Sequence, residues 1–133
     1  MTHGRTILLA DDEPHIVQVL SVVLRQAGYR VFAASDGEEA LEVAGEETID
    51  LVISDVQMPN LDGLGLARRL WSEERTRSTP ILLLTARSGS EWHEFTPNVR
   101  GVMTKPFSPR ALVAEVQRLL GPDSGSFGRA EAA

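Results

Sequence analysis

Five short apolar runs, separated by longer amphipathic stretches, constrain this chain more than any other feature. The runs are Ile7-Leu8-Leu9-Ala10, Val31-Phe32-Ala33-Ala34, Leu51-Val52-Ile53-Ser54, Ile81-Leu82-Leu83-Leu84 and Gly101-Val102-Met103-Thr104. Between them apolar residues recur at helical spacing, so the alternation predicts strands and helices taking turns. The central runs are apolar at consecutive positions rather than alternate ones. Strands of that kind are buried on both faces, which is the pattern of a parallel sheet covered by helices in an α/β domain.

The helical stretches are marked by their own periodicity and punctuation. Ile16, Val19, Leu20, Val23, Leu24 and Ala27 form one stripe, ended by Gly28. A short second helix opens at Asp36-Gly37-Glu38, carries Ala40, Leu41, Val43 and Ala44, and closes near Gly45; Leu64, Leu66, Leu70 and Trp71 mark a third. The last helix carries Leu112, Val113, Val116, Leu119 and Leu120. Ser108-Pro109 supplies its cap and first turn, and Gly121-Pro122 stops it. Between Thr85 and Gly101 the pattern fails, because Arg87-Ser88-Gly89-Ser90-Glu91-Trp92-His93-Glu94-Phe95-Thr96 offers a turn or two of helix before Pro97 ends it. The fourth helix is expected to be short or irregular. Residues 1–121 read as one folded domain and residues 122–133, rich in Gly, Ser and Ala, as a flexible C-terminal tail or linker stub.

At 133 residues the chain has room for one domain of ordinary size, and 42% apolar with 24% charged residues can both build and cover a core. Nineteen acidic against 13 basic side chains give a net charge of −6, which argues against direct nucleic-acid binding. There is no cysteine, which removes disulfides, thiolate zinc sites and thiol nucleophiles. No apolar run approaches the ~18 residues of a membrane span, and the one near the N-terminus is too brief for a signal peptide. A cytoplasmic protein is expected.

In open parallel sheets ligands bind beyond the carboxyl ends of the strands. There the first run is followed by Asp11 and Asp12, the third by Asp55, the fourth by Thr85 and the fifth by Lys105. Ser35-Asp36, after the second, reads as a turn and helix cap. Each residue has an ordinary explanation by itself: Asp11 or Asp12 as a cap of the first helix, Asp55 as the start of a turn, Thr85 as a strand former, Lys105 as a solvated charge. Together they ask for another account. Three converging carboxylates repel one another and raise each other's pKa unless a cation joins them. With no His or Cys beside them, a hard divalent ion such as Mg²⁺ is the natural occupant. A carboxylate nucleophile, a hydroxyl, an ammonium and Mg²⁺ are also what phosphoryl transfer requires, with Asp55 forming the acyl phosphate.

The order Asp11-Asp12, Asp55 followed by Met58-Pro59 and Asp62-Gly63, then Thr85-Ala86 and Lys105-Pro106-Phe107 resembles the receiver domain of bacterial two-component response regulators, of the chemotaxis-regulator-like single-domain kind. The likeness runs from about Thr6 to Leu120, and the 43 positions from Asp12 to Asp55 and 30 from Asp55 to Thr85 fit it. It implies a flavodoxin-like, doubly wound five-stranded parallel sheet of order 2-1-3-4-5. By the same likeness Asp55 is the phosphoacceptor, and Asp11 and Asp12, with Asp55 and the backbone carbonyl of Gln57, hold Mg²⁺ or Mn²⁺. Thr85 then bonds a phosphoryl oxygen, Lys105 pairs with the Asp55 carboxylate or phosphoryl group, and Lys105-Pro106 carries a cis peptide bond. The implied partners are a sensor histidine kinase or histidine phosphotransfer protein and an effector protein or fused output domain. Catalysis would be limited to self-catalysed phosphotransfer and autodephosphorylation.

Two features depart from the family pattern. Three positions before Lys105, where receivers carry Tyr or Phe, stands Val102, and the stretch from Thr85 to Lys105 is shorter than usual. They keep open an atypical receiver that binds partners with weak coupling to phosphorylation; partner affinity with and without a phosphoryl mimic separates the two. A Mg²⁺-dependent phosphatase with an Asp nucleophile fits less well, because such enzymes place a second acid two residues on, where this chain has Gln57. Trp92 and Phe95 are either partner anchors or a cover for the core. Val17 and Val22, at the edges of the first helical stripe, suggest a docking face for a histidine-containing donor or else extra core packing.

Overall fold

Five parallel strands lie in the order β2-β1-β3-β4-β5, with β1 at Thr6–Ala10, β2 at Arg30–Ala34, β3 at Leu51–Asp55, β4 at Ile81–Thr85 and β5 at Val99–Thr104. The computed structural model describes residues 4–86 and 95–121. Four helices are described: α1 (Pro14–Gln26), α2 (Gly37–Glu46), α3 (Gly63–Trp71) and α4 (Pro109–Leu120). Arg87–Glu94, with Trp92 and the irregular fourth helix expected there, and residues 122–133, read as the tail, lie outside the described residues.

The core explains why the central runs are continuously apolar. Alternate side chains of a strand point to opposite faces. Leu8, Val52 and Leu83 pack with Ala40, Ala44, Leu66 and Leu70 of α2 and α3 on one face. Ile7, Leu9, Ile53 and Leu82 pack with Leu20, Leu24, Leu112 and Val116 of α1 and α4 on the other. Each fully buried Leu or Ile contributes about 1.5–3 kcal/mol of transfer free energy. β2 and β5, at the sheet edges, are covered less completely.

α1 is turned by about one residue from the stripe its periodicity suggests. Leu20, Ser21 and Leu24 are its buried residues, and Val17 is half-buried against the α1/α4 cluster. Val19, placed in the stripe from sequence, is 41% exposed, and Val22 is 48% exposed. Val17 therefore serves the core, and only Val22 of the two edge valines faces outward. Phe95 packs against the core beside α2 and α3, which supports the covering role for that ring.

Helix ends follow the punctuation closely. The Ser108 hydroxyl accepts from the Ala111 amide at 3.0 Å with Pro109 in the first turn, and Gly121 ends α4 at φ 77°. Ser108→Ala is expected to destabilise the fold by about 1 kcal/mol, lowering Tm by ~3–5 °C in a thermal melt; an unchanged Tm would show that the cap is dispensable.

Candidate functional site

Sheet geometry brings the chemistry-bearing residues together. The strand ladders run one step past the strands: the Asp11 amide donates to Ala34 O at 3.1 Å, the Val56 amide to Leu84 O at 2.9 Å and the Lys105 amide to Thr85 O at 2.7 Å. These bonds fix the backbone where β1, β3 and β5 end. Thr85 closes β4 in register with Thr104. The Lys105-Pro106 peptide is cis.

Oxygens of Asp11, Asp12 and Asp55 lie within 4.8 Å of one another. Asp11 is buried, Asp55 half-buried and Asp12 exposed. Lys105 Nζ stands 3.2 Å from Asp55 Oδ1 and 3.8 Å from Asp11 Oδ2. Neither Asp11 nor Asp12 supplies the cap of α1: the cap residue is Glu13, which makes no side-chain cap bond. Asp11 Oδ1 instead accepts from the Glu13 amide at 3.0 Å, a local side-chain turn ahead of the helix. Its other oxygen, Oδ2, is buried with no hydrogen-bond partner. The Lys105 ammonium at 3.8 Å offers it charge but is beyond hydrogen-bond reach.

Burial raises the Asp11 pKa above the ordinary carboxyl value; the neighbouring Asp55 and Asp12 charges add to this, against the Glu13 amide and Lys105. The folded state thus holds this proton more tightly than the unfolded chain does. Metal-free stability from Asp11 is therefore greatest at low pH and is lost as pH rises from the ordinary carboxyl value through the raised one. An orphaned, desolvated carboxylate oxygen beside two more carboxylates, without His or Cys, suits a hard cation that binds oxygen. Asp11→Asn, which keeps the Glu13 bond and removes the charge, is expected to raise Tm without metal, by relieving the burial and like-charge repulsion that push the Asp11 pKa up. A Tm gain with Mg²⁺ is expected for the wild type and should be absent in this variant. Melts with and without Mg²⁺ check both signs, and a lowered metal-free Tm would contradict the electrostatic account.

Gln57 is exposed in the loop between β3 and α3, two residues past Asp55. That loop is tied down around it: the Gly63 amide donates to Val56 O at 2.8 Å, and Met58 is buried in the core. Asp36 caps α2 through the Glu39 amide at 2.8 Å, and Glu39 returns a carboxylate oxygen to the Ser35 amide at 2.6 Å and hydroxyl at 2.8 Å. Sequence reading missed a second contact of Asp36, from Asn60 Nδ2 at 2.7 Å. Asn60, at φ 70°, is of a type that tolerates this conformation, but its partner 24 residues away has no sequence signal. His15 is exposed on α1, and His3 and His93 lie outside the described residues.

Known proteins are similar to this chain in sequence and in fold. The sequence profile of the response regulator receiver domain matches residues 7–117. The alkaline phosphatase synthesis transcriptional regulatory protein PhoP of Bacillus subtilis is 42% identical over 120 residues, which are 88% of this chain and 49% of that protein. The phosphate regulon transcriptional regulatory protein PhoB of Pseudomonas aeruginosa is 39% identical over 120 residues, 88% of this chain and 52% of that protein. The chain thus spans about half the length of these curated relatives. The chemotaxis response regulator CheY4 of Vibrio cholerae superposes with a TM-score of 0.83 at 36% identity, covering 89% of this chain and all of that one. The receiver domain of a sensor histidine kinase from Pseudomonas aeruginosa, with a magnesium ion coordinated in its active-site cleft, superposes at 0.80 with 32% identity, covering 90% of this chain and 100% of that one. A family profile over most of the chain, a relative at 42% identity, and the parallel sheet whose strand ends gather three carboxylates and a lysine lead to one assignment: this chain belongs to the receiver domains of response regulators, the phosphoacceptor signalling domains of two-component systems.

Proposed function

We propose that Asp55 accepts a phosphoryl group from a phosphohistidine of a sensor kinase or phosphotransfer protein, and that the acyl phosphate changes the affinity of this domain for its partner. The observation that carries this reading is the meeting of Asp55, Asp11, Asp12 and Lys105 at the strand ends. An Asp55 carboxylate oxygen attacks phosphorus in line with the phosphorus–nitrogen bond. That bond's electron pair leaves with the imidazole nitrogen, which takes up a proton. Lys105 sets positive charge beside the attacking carboxylate and then beside the phosphoryl oxygens. The Thr85 hydroxyl, at the end of the adjacent strand, donates to one of those oxygens. Hydrolysis reverses the state: water attacks phosphorus, orthophosphate departs and the Asp55 carboxylate returns.

Asp11, Asp12, Asp55 and the Gln57 carbonyl are the ligand set for Mg²⁺, with Mn²⁺ as a substitute. Bound there, the ion neutralises charge on the carboxylates and on the transferring group. Its affinity should fall as pH drops through the raised Asp11 range, since a proton competes for the same oxygens. The comparison with PhoP and PhoB supports an output domain beyond a receiver of residues 1–121, or else a separate effector, and the charge of −6 supports a domain that does not itself contact nucleic acid. Among the described residues no helix is long and apolar enough to cross a membrane, which supports a cytoplasmic setting.

Intact mass after incubation with acetyl phosphate tests the reading. One phosphoryl adduct is expected, needing Mg²⁺ and lost with EDTA, and peptide mapping should place it on Asp55. A folded protein that gains no adduct with Mg²⁺ present would defeat the proposal.

A further inference from the structure

The loop that carries Gln57 is held from outside the site, by the start of α2. Asn60 Nδ2 donates to Asp36 Oδ2 at 2.7 Å, and the Gly37 amide donates to Leu61 O at 3.1 Å. The fit is close, because a Cβ on Gly37 would overlap the Leu61 carbonyl oxygen. Asp36 is fixed in turn: its other oxygen accepts from the Glu39 amide, and the Glu39 and Asn60 bonds hold its carboxyl below the ordinary range. From Val56 to Gly63 the chain is closed by Gly63 N to Val56 O, pinned inward by Met58 and anchored outward by Asn60 and Leu61. Gln57 sits between these anchors. The backbone on both sides of it is thereby held.

We propose that Asn60 and Asp36 are positioning residues for the metal site, a clamp that fixes the β3–α3 loop so that the Gln57 carbonyl is presented to the cation. This inference rests on the ligand set proposed above. A ligand oxygen held in place pays less ordering cost when the ion binds than one on a loose loop, so the clamp should appear in metal affinity before any chemistry occurs.

Asn60→Gly keeps a residue at ease at φ 70° but removes the amide, and Asp36→Ser keeps a capping oxygen but removes the acceptor of the Asn60 bond. By calorimetric Mg²⁺ titration of the unphosphorylated protein, each is expected to raise Kd about 3- to 10-fold, and the double variant no further than the worse single one. The exchanged pair Asn60→Asp with Asp36→Asn restores a carboxylate–amide bond at unchanged total charge, and should recover affinity. A merely structural contact predicts lower Tm with Kd unmoved. Both single variants within twofold of the wild-type Kd, or no recovery in the exchanged pair, would overturn the clamp. Asp12→Asn separates this from failure of the site itself: if the wild type binds no Mg²⁺, or Asp12→Asn binds as well as the wild type, the ligand set is wrong and the clamp falls with it.

Discussion

Asp55→Asn is expected to fold like the wild type and to take up no phosphoryl group from acetyl phosphate or from a phosphorylated histidine donor. The substitution is nearly isosteric and the side chain is half-buried at a strand end, so packing of β3 against β1 and β4 should survive. What disappears is the proposed nucleophile. A neutral amide oxygen does not form the acyl phosphate, and no other carboxylate replaces it in kind: one Asp11 oxygen is engaged by the Glu13 amide, and Asp12 is exposed at the rim. The ion pair between Lys105 and Asp55 also loses its charge, but with Lys105 29% exposed its loss should cost well under 1 kcal/mol. The readouts are intact mass and Tm. An adduct on the variant at wild-type rate would move the phosphoacceptor elsewhere.

Much of this was legible in the sequence because sheet topology turns order into place. Once Ile7–Ala10, Leu51–Ser54 and Ile81–Leu84 read as doubly buried parallel strands, Asp11, Asp55 and Thr85 had to emerge at the carboxyl end of the sheet. Ser108-Pro109 and Gly121 marked α4 because capping is local chemistry. What escaped was set by contacts between segments. Val19 of the stripe is exposed and, of the two readings open for Val17, core packing holds, because helix rotation depends on the sheet and on α4, not on the periodicity of α1 alone. The capping role first available to Asp11 was displaced by a turn bond to Glu13, which leaves its second oxygen for the site. The Asn60–Asp36 contact joins loops with no shared pattern.

Val102 shows how far the sequence departure reaches into the structure. It is half-buried and packs against the cluster of α2 and α3, on the face that also holds Phe95. A valine there fills part of the core and has no ring to turn inward or outward. The departure stays on that face of the sheet, while Asp11, Asp12, Asp55 and Lys105 are still gathered at the strand ends.

The second large effect concerns a residue with no side chain. Gly63→Ala should destabilise the fold by about 2–4 kcal/mol, lowering Tm by ~10 °C. It should also slow phosphoryl uptake tenfold or more at a temperature where the variant stays folded, while Gly45→Ala raises stability by ~0.5–1 kcal/mol. The two glycines differ in what a methyl group would meet. At Gly63 it would overlap the carbonyl oxygen of Asp55 and come within 3.0 Å of Val56 Cα, both backbone atoms of the strand end that carries the nucleophile. Neither can rotate away, so α3 or the end of β3 must shift, and a shift of β3 carries Asp55 with it. A displacement near 1 Å can cost on the order of 100-fold in a transfer that depends on in-line geometry. At Gly45, in the last turn of α2, nothing lies within 4 Å, and alanine gains from the lower backbone entropy of its unfolded chain. Opposite signs of ΔTm for one chemical change would establish close approach at Gly63 as the cause. Equal Tm changes, or normal uptake by a folded Gly63→Ala protein, would show that β3 and α3 tolerate more separation than this packing allows.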